Sequence, residues 1–280
     1  MTPTRPALRW HGGKWKLAPW IISHFPPHRV YVEPFGGAAS VLFRKPTAYA
    51  EYYNDLDHDV VNFFEVMRNF SDELIRQVRL TPFARAEFER AYKPAENPID
   101  QARKLLIRSF MGFGSDGHNR ARRTGFRSTS DRSGTTPAHD WANLPKSMTA
   151  ISERLQGVTI ECRDAAAVML QYDRINALHF VDPPYVHSTR AGAVQSSRNN
   201  YTREMSDADH EQLLTLLRRL KVMVILCGYP NPLYDAALSD WHRVERIALA
   251  DGARKRVEVL WLNASASSQM PSPMLISAGG

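Results

Sequence analysis

The stretch ALHFVDPPY at residues 177–185 decides the fold of this chain. Its first five residues form an apolar run that predicts a buried strand. Pro183 and Pro184 continue neither a β-ladder nor a helix, so the chain must turn sharply directly after that strand. Open α/β sheets bind their ligands at the carboxyl ends of the strands. The stretch therefore predicts an α/β fold with Asp182, the two prolines and Tyr185 at its functional edge.

These residues suit one chemical task, which is to hold a planar amine. The Asp182 carboxylate and the Pro183 carbonyl can each accept one of the two N–H groups of such an amine. The ring of Tyr185 can stack on the face of the same planar group. The alternative interpretation is an acidic turn after a core strand, with Tyr185 packed for stability, because short motifs also occur by chance.

A glycine-rich turn lies far upstream of this motif. Residues 30–33 predict a short strand, and the sequence PFGG at 34–37 leads from it into a helical pattern of small residues. Glycines at such a point allow a ligand to approach the backbone closely. The spacing is not the dinucleotide fingerprint, because two alanines follow Gly37. Asp55 ends the next strand, about twenty residues further on, where an acid suits a ribose hydroxyl. The two strands together predict a nucleoside-containing cofactor.

Composition sets broad limits on the class of protein. The 280 residues are 43% hydrophobic and 23% charged, which is typical of a globular protein with a substantial core. Cys162 and Cys227 lie in apolar strand-like runs without zinc-ligand spacing, so we expect buried thiols, a reducing cytoplasm and no metal. The sequence has no recognisable signal peptide and no apolar run of transmembrane length, so we expect no membrane contact.

The charge distribution favours a polyanionic partner. The net charge is +7 and the sequence pI is about 9.5. Residues 101–140 contain eight lysines and arginines but three acids, so most of the excess positive charge lies in this short part of the chain. The loop at 114–133 is the predicted DNA contact, because its polar side chains can bind phosphates or guanine edges. The candidates are Asn119, Arg120, Arg122, Arg123 and Arg127. A solvated basic loop without a partner is the alternative.

Strand and helix patterns divide the chain into four parts. Residues 1–60 and 151–263 supply two halves of one sheet, which form a catalytic domain. Residues 61–150 predict a mainly helical insertion between the halves. Within the second half, residues 241–248 and 256–263 alternate polar and apolar side chains and predict a β-hairpin. Residues 186–202 predict a polar lid over the site, and residues 264–280, rich in Ser, Ala and Pro, predict a disordered tail.

Several motifs taken together resemble a known family. They are RWHGGK at 9–14, EPFGG at 33–37, ND at 54–55, Asp164 after a predicted strand at 158–162, and DPPY at 182–185. In this order and over residues 8–263, the chain resembles the Dam-type (D12 class) DNA adenine-N6 methyltransferases. The resemblance implies a Rossmann-like S-adenosylmethionine-dependent methyltransferase sheet with an inserted target-recognition domain. One departure is the turn Gly-Gly-Ala-Ala, where many relatives carry another glycine.

The resemblance also implies roles for individual residues. Trp10 and Lys14 would border S-adenosyl-L-methionine, and Phe35 and Gly36 would line its methionine end, with Glu33, Pro34 and Gly37 completing the site. Asp55 would take the ribose hydroxyls and Asp164 the adenine amine of the cofactor. Asp182, Pro183, Pro184 and Tyr185 would be catalytic, acting on an adenine flipped out of double-stranded DNA. The enzyme would work in a bacterial or phage-infected cytoplasm, as a monomer or as a homodimer on a palindromic site.

Other activities share this amine chemistry. Cytosine-N4 methyltransferases use a similar turn, often with Ser in place of the first acid, and RNA or protein-glutamine methyltransferases usually begin it with Asn. Asp182 and the order of the motifs favour adenine. A non-catalytic DNA-binding protein on a methyltransferase scaffold is a different class. Cofactor binding would distinguish it from an enzyme.

Overall fold

The computed structural model describes residues 2–114, 123–128, 134–185, 205–249 and 255–270. Seven strands lie in these ranges: β1 (Val30–Glu33), β2 (Ala50–Asn54), β3 (Val158–Glu161), β4 (Ala177–Val181), β5 (Met223–Gly228), β6 (His242–Leu249) and β7 (Lys255–Leu262). The helices in the same ranges are α1 (Ala18–Ile22), α2 (Ser40–Arg44), α3 (His58–Asn69), α4 (Ser71–Leu80), α5 (Arg85–Arg90), α6 (Pro98–Met111), α7 (Pro137–Leu155), α8 (Ala165–Gln171), α9 (Asp207–Arg219), α10 (Pro232–Ala237) and α11 (Ala264–Ser267).

The described strands form one sheet in the order β3-β2-β1-β4-β5-β7-β6. β1 pairs in parallel with β2 on one side and with β4 on the other, and Val30 lies opposite both Ala50 and Ala177. Chain order therefore runs outward from β1 through β2 to β3 on one side, and from β4 to β5 on the other, where β7 and then β6 complete the sheet. The crevice at the carboxyl ends of β1 and β4 is the topological switch point, where open α/β sheets bind ligands. Both the glycine turn and the DPPY turn begin there.

The central strands are buried on both faces. Every residue of β4 and of β5 is buried, as expected for parallel strands with helices on both sides of the sheet. His179 is the polar exception within β4, and its Nε2 donates to the carbonyl oxygen of Tyr172 at 3.2 Å. Burial lowers the pKa of His179 to about 4, so the ring is neutral in the core at neutral pH. The predicted α/β class is confirmed.

The predicted hairpin supplies the last two strands at one edge of the sheet. β6 and β7 pair antiparallel, with His242 opposite Leu262. β7 also pairs antiparallel with β5, and Gly228 lies opposite Val259. Because β7 runs against β5, its first half extends past the carboxyl end of β5 and reaches the edge that carries the site.

Helices α3 to α7 separate β2 from β3 in the chain. The described residues of this segment are mainly helical, and their core is shared with the sheet. Phe63, Leu106 and Leu144 from the helices belong to the same apolar cluster as Phe43 and Phe180. The domain boundaries at residues 60 and 150 stay a prediction. Within the described ranges, no helix is both long enough and apolar enough to cross a membrane.

The tail prediction is wrong for its first residues. Residues 264–270 continue the folded structure, and α11 begins directly after β7. The Asn263 side chain accepts from the backbone N–H of Ala266 at 2.9 Å, which caps the helix, and Ala266 is buried. Composition alone missed this cap. Residues 271–280 lie outside the described part of the chain.

Candidate active site

A cavity of about 610 Å³ opens at the carboxyl ends of β1, β2 and β4. All nine residues predicted to bind the cofactor line it: Trp10, Lys14, Glu33, Pro34, Phe35, Gly36, Gly37, Asp55 and Asp164. Asp182 and Pro184 line the same cavity, so the predicted cofactor residues and part of the predicted catalytic turn face one space. Pro183 and Tyr185 are buried beside them.

The glycine turn is shaped by close contacts that exclude side chains. A Cβ atom on Gly36 would lie 2.1 Å from Cε2 of Tyr53, and one on Gly37 would lie 2.8 Å from Nε1 of Trp10. Gly37 has a positive φ of +47°, and the hydroxyl of Tyr53 donates to its carbonyl oxygen at 2.7 Å. Ala39 also has a positive φ, 54°, which is unfavourable for a residue with a Cβ. The turn therefore retains a glycine-like conformation at an alanine.

Asp55 fastens this turn to the end of β2. Its Oδ2 accepts from the backbone N–H of Gly37 and its Oδ1 from that of Asp57, each at 2.8 Å. Burial raises the pKa of Asp55 to about 6, although both hydrogen bonds act in the opposite direction. Asp57 in turn caps α3, because its side chain accepts from the N–H of Asp59 at 2.9 Å. The acid predicted to bind ribose thus also holds the cavity wall in place.

Asn54 joins three turns at the rim. Its Nδ2 donates to the carbonyl oxygens of Pro34 at 2.9 Å and Arg163 at 3.0 Å, and its Oδ1 accepts from the N–H of Arg163 at 2.9 Å. Asp164 follows directly and caps α8, since its Oδ1 accepts from the N–H of Ala167 at 3.0 Å. The cap accounts for one oxygen of the Asp164 carboxylate, and the side chain also lines the cavity.

Asp182 is the centre of a half-buried charged group. Its Oδ2 lies 3.0 Å from Nζ of Lys14, and its Oδ1 is buried without a hydrogen bond to any described residue. Burial raises the pKa of Asp182, and the Lys14 ammonium partly offsets this. The same ammonium donates to the carbonyl oxygen of Gly12 at 2.8 Å and lies 4.7 Å from the ring centroid of Tyr185. Among the described residues no group therefore donates to Oδ1 of Asp182, although the nearby Tyr185 hydroxyl and Cys227 thiol help to lower the pKa of this carboxyl.

The lining of the cavity is strongly acidic. Six acidic side chains face it against one lysine: Glu33, Asp55, Asp57, Asp164, Asp182 and Asp209, with Lys14. Burial raises the pKa of Glu33 to about 8, although the Tyr31 hydroxyl donates to it at 3.1 Å, so Glu33 is mostly uncharged at neutral pH. The other five acids outnumber the one lysine, so the cavity favours a ligand that brings positive charge.

Sequence reasoning missed two sets of residues around the cavity. The first is one face of α9, which contributes Asp209, Gln212, Leu213 and Leu216. Their spacing of one, three and four residues along α9 is a usable sequence signal for one helix face. Asp209 also forms a capping box with Ser206 at the start of this helix. The second set lies beside Tyr185 at the ends of β5 and β7. Cys227, Tyr229 and Glu258 contact Tyr185, and Arg256 contacts Tyr229.

The predicted DNA-contact residues are only partly described. Arg123 is exposed and its guanidinium lies 5.5 Å from the ring of Tyr92. Arg127 is only 13% exposed in its side chain and lies 3.8 Å from Asp140, which also pairs with Arg5. Arg127 thus has a structural partner, and its DNA contact stays a prediction. Asn119, Arg120 and Arg122 lie outside the described residues, as does the predicted lid at 186–202.

Comparison with known proteins identifies the family. A sequence model of the D12 class N6 adenine-specific DNA methyltransferases matches residues 10–248. The chain belongs to this family. DNA adenine methylase of Escherichia coli (strain K12) is 25% identical over 274 residues, which cover 93% of this chain and 95% of that protein. The DNA adenine methylase of Vibrio cholerae (serotype O1, strain ATCC 39541) is 25% identical over 72% of this chain and 73% of its own length, and that of Salmonella typhi is 22% identical over 93% and 95%.

Membership of the D12 class confirms the predicted family and the predicted activity. This D12 methyltransferase is an enzyme that transfers a methyl group to N6 of adenine in DNA, which decides between adenine and the cytosine, RNA and protein alternatives. It requires a methyl donor. The mostly parallel seven-stranded sheet is consistent with the Rossmann-like fold of such enzymes.

Proposed function

We propose that this D12 methyltransferase transfers the methyl group of S-adenosylmethionine to N6 of an adenine flipped out of duplex DNA. One observation carries the proposal: the glycine turn and Asp182 line one cavity, and Oδ1 of Asp182 is buried there without a hydrogen bond to any described residue. An orphaned buried carboxylate oxygen indicates a donor that arrives with the ligand. An exocyclic amine is such a donor, with one N–H for Asp182 and one for the carbonyl of Pro183.

The charge of the cavity supports S-adenosylmethionine as the methyl donor. When bound, this cofactor supplies an electrophilic methyl group on a positively charged sulfonium. Five acids other than the mostly uncharged Glu33, against one lysine, favour a cation. The close approach permitted by Gly36 and Gly37 suits an extended ligand against the backbone. Product lacking the sulfonium charge would be held less tightly by the same acids.

Asp55 and Asp164 would hold the nucleoside part of the cofactor. Each carboxylate oxygen can accept more than one hydrogen bond, so Asp55 can bind ribose hydroxyls while it keeps the N–H groups of Gly37 and Asp57. Asp164 uses Oδ1 for the cap of α8, and its second oxygen suits the cofactor's adenine amine. Trp10 borders the glycine turn from the other side, where its indole lies against Gly37.

Lys14 lies beside the place that we propose for the target amine. Its ammonium pairs with Oδ2 of Asp182 and lies over the ring of Tyr185, whereas the amine would donate to Oδ1. The flipped base would therefore take the place of the ammonium over the Tyr185 ring, and Lys14 has a further acceptor at the carbonyl of Gly12. Two acceptors on the amine reduce delocalisation of its lone pair into the ring, so positioning and electrostatics supply the catalysis.

The positive net charge of the protein and the adenine amine that it methylates both favour duplex DNA as the partner. The net charge of +7 suits the phosphate backbone, which dominates the affinity of proteins for DNA. An amine inside a base pair cannot reach a carboxylate buried at the end of a strand. The adenine must therefore leave the stack, as for other enzymes that modify bases in duplex DNA.

Cofactor binding by Asp55 variants tests the proposed cofactor site. We expect Asp55→Ala to raise the dissociation constant of S-adenosylmethionine about 10- to 100-fold, because hydrogen bonds to a charged group are lost. Burial raises the pKa of Asp55 to about 6 in the free protein. Below that pH the carboxyl group is mostly protonated and must lose its proton before it can accept hydrogen bonds from both ribose hydroxyls. Wild-type affinity should therefore rise between pH 5 and pH 7, and Asp55→Asn should lose that part of the dependence.

Isothermal titration calorimetry at several pH values measures both effects. Asp72→Asn is the matched control, because it removes one carboxylate at an exposed position in the first turn of α4. Unchanged cofactor affinity in Asp55→Ala would exclude the ribose role of Asp55. Failure of the wild-type protein to bind S-adenosylmethionine would contradict the proposed function itself.

A further inference from the structure

Glu258 on β7 is a buried acid that contacts the catalytic turn. The hydroxyl of Tyr185 donates to Oε2 of Glu258 at 3.1 Å, and both residues are only 6% exposed. The thiol of Cys227 lies 3.7 Å from the same hydroxyl and 4.0 Å from the same carboxylate oxygen. Glu258 thus meets Tyr185 at the end of the ring that is furthest from its backbone.

A carboxylate in this position is unfavourable for stability alone. Burial raises the pKa of Glu258, and the positive charges of Lys14 and Arg256 partly offset that rise. An apolar side chain of similar volume would avoid the loss of hydration that a buried acid suffers. The acid is better explained by its effect on the residue that it binds, which is Tyr185.

The hairpin holds a second aromatic ring beside Tyr185. The ring of Tyr229 meets that of Tyr185 at a centroid distance of 4.4 Å in a T-shaped arrangement. Nη1 of Arg256 donates to the hydroxyl of Tyr229 at 2.8 Å, and its guanidinium lies 5.2 Å from the ring centroid. Arg256 and Glu258 are two residues apart on β7, so their side chains project from the same face of the strand. This face of β7 therefore binds both tyrosines through their hydroxyls.

We propose that Glu258 is a positioning residue for methyl transfer, which fixes the ring plane of Tyr185 through its hydroxyl for stacking on the flipped adenine. The proposal rests on the proposed function, because the stacked base is the target of that reaction. A ring held at its hydroxyl as well as by packing keeps one orientation. Small errors in the position of a reacting group lower the rate of the chemical step much more than they lower affinity.

A double-mutant cycle between Glu258 and Tyr185 tests the hydrogen bond. We expect Glu258→Ala to lower the single-turnover rate about 10- to 100-fold in the wild-type background, as for loss of a hydrogen bond to a charged group. In the Tyr185→Phe background the same change should lower the rate less than about twofold, because the hydroxyl is already gone. Glu258→Gln keeps an acceptor and should restore the rate to within about threefold of wild type. Dissociation constants for S-adenosylmethionine and DNA should stay within about twofold, because positioning acts on the chemical step.

A control and a direct observation of the ring complete the test. Glu245→Ala removes an exposed acid from β6 of the same hairpin and should leave the rate unchanged. Incorporated 3-fluorotyrosine gives a ¹⁹F resonance for Tyr185, which is assigned as the signal lost in Tyr185→Phe. We expect one sharp resonance in wild type and in Glu258→Gln, and a broadened or divided one in Glu258→Ala.

The outcomes separate this proposal from the proposed function. Equal rate losses from Glu258→Ala in both backgrounds, or a Glu258→Gln enzyme as slow as Glu258→Ala, would overturn the positioning role. An unchanged fluorine resonance in Glu258→Ala would also overturn it, and that observation needs no turnover. A wild-type protein that methylates no adenine would instead contradict the proposed function, while the fluorine spectra would still decide whether Glu258 fixes Tyr185.

Discussion

Replacement of Asp182 by alanine should lower the single-turnover rate of methyl transfer by about a thousandfold or more, at the upper end of what one electrostatic contact in an active site contributes. The loss has two causes. The target amine loses the carboxylate that accepts its N–H, and Lys14 loses the anion that lies 3.0 Å from its ammonium. Asp182→Asn keeps one oxygen acceptor but no charge, so its rate should fall between those of alanine and wild type.

Cofactor affinity should be largely preserved in both Asp182 variants. The glycine turn, Asp55 and Asp164 lie on other strand ends, and their mutual hydrogen bonds do not involve Asp182. We therefore expect the dissociation constant of S-adenosylmethionine to change less than about fivefold, since one of six acidic side chains of the cavity is lost. A single-turnover rate close to wild type in Asp182→Ala would exclude Asp182 as the acceptor of the amine.

Gly36→Ala should lower the free energy of unfolding by about 3 kcal/mol or more, at or beyond the usual range for overpacking of a core. The new Cβ would lie 2.1 Å from Cε2 of Tyr53. That ring cannot easily move away, because Tyr53 is fully buried and its hydroxyl donates to the carbonyl of Gly37. The glycine turn must shift instead, so cofactor affinity should fall together with stability.

Urea unfolding of Gly36→Ala and a matched glycine variant measures this effect. Gly157→Ala is the control, because a Cβ there meets no atom within 4 Å and should change stability by less than about 0.5 kcal/mol. Tyr53→Leu removes the ring and should relieve the clash. Gly36→Ala should therefore lower the free energy of unfolding less in a Tyr53→Leu background than in wild type. Equal stabilities of Gly36→Ala and Gly157→Ala would mean that the contact with Tyr53 does not shape the turn.

Much of the site is predictable because its residues directly follow strands. The apolar runs before Asp55 and Asp182 are local signals, and the carboxyl ends of parallel strands meet at one edge of a sheet. The glycine turn is equally local, since close approach of a ligand requires small residues there. For these reasons Gly36, Gly37 and Asp55 line one cavity together with Asp182. Trp10, Lys14 and Asp164 line it too, but the family resemblance alone predicts them there.

The missed residues depend on tertiary packing. The alternation of residues 256–263 predicts a hairpin, but it contains no sign that Glu258 meets Tyr185 or that Arg256 meets Tyr229. Lys14, which precedes the first helix, pairs with Asp182 at the end of β4. The two residues are far apart in the sequence, so their pairing is seen only in the folded structure. Composition likewise contains no sign that Arg127 lies 3.8 Å from Asp140, a pairing that leaves its predicted DNA contact untested.

The most direct measurement is the identity of the methylated nucleoside. Purified protein is incubated with S-adenosylmethionine that carries a tritiated methyl group and with unmethylated duplex DNA, which is then digested to nucleosides and separated. The Asp182→Ala protein serves as the blank. We expect the label in N6-methyl-2′-deoxyadenosine. Label in N4-methyl-2′-deoxycytidine, or no label in DNA from a protein that binds the cofactor, would contradict adenine methylation at this site.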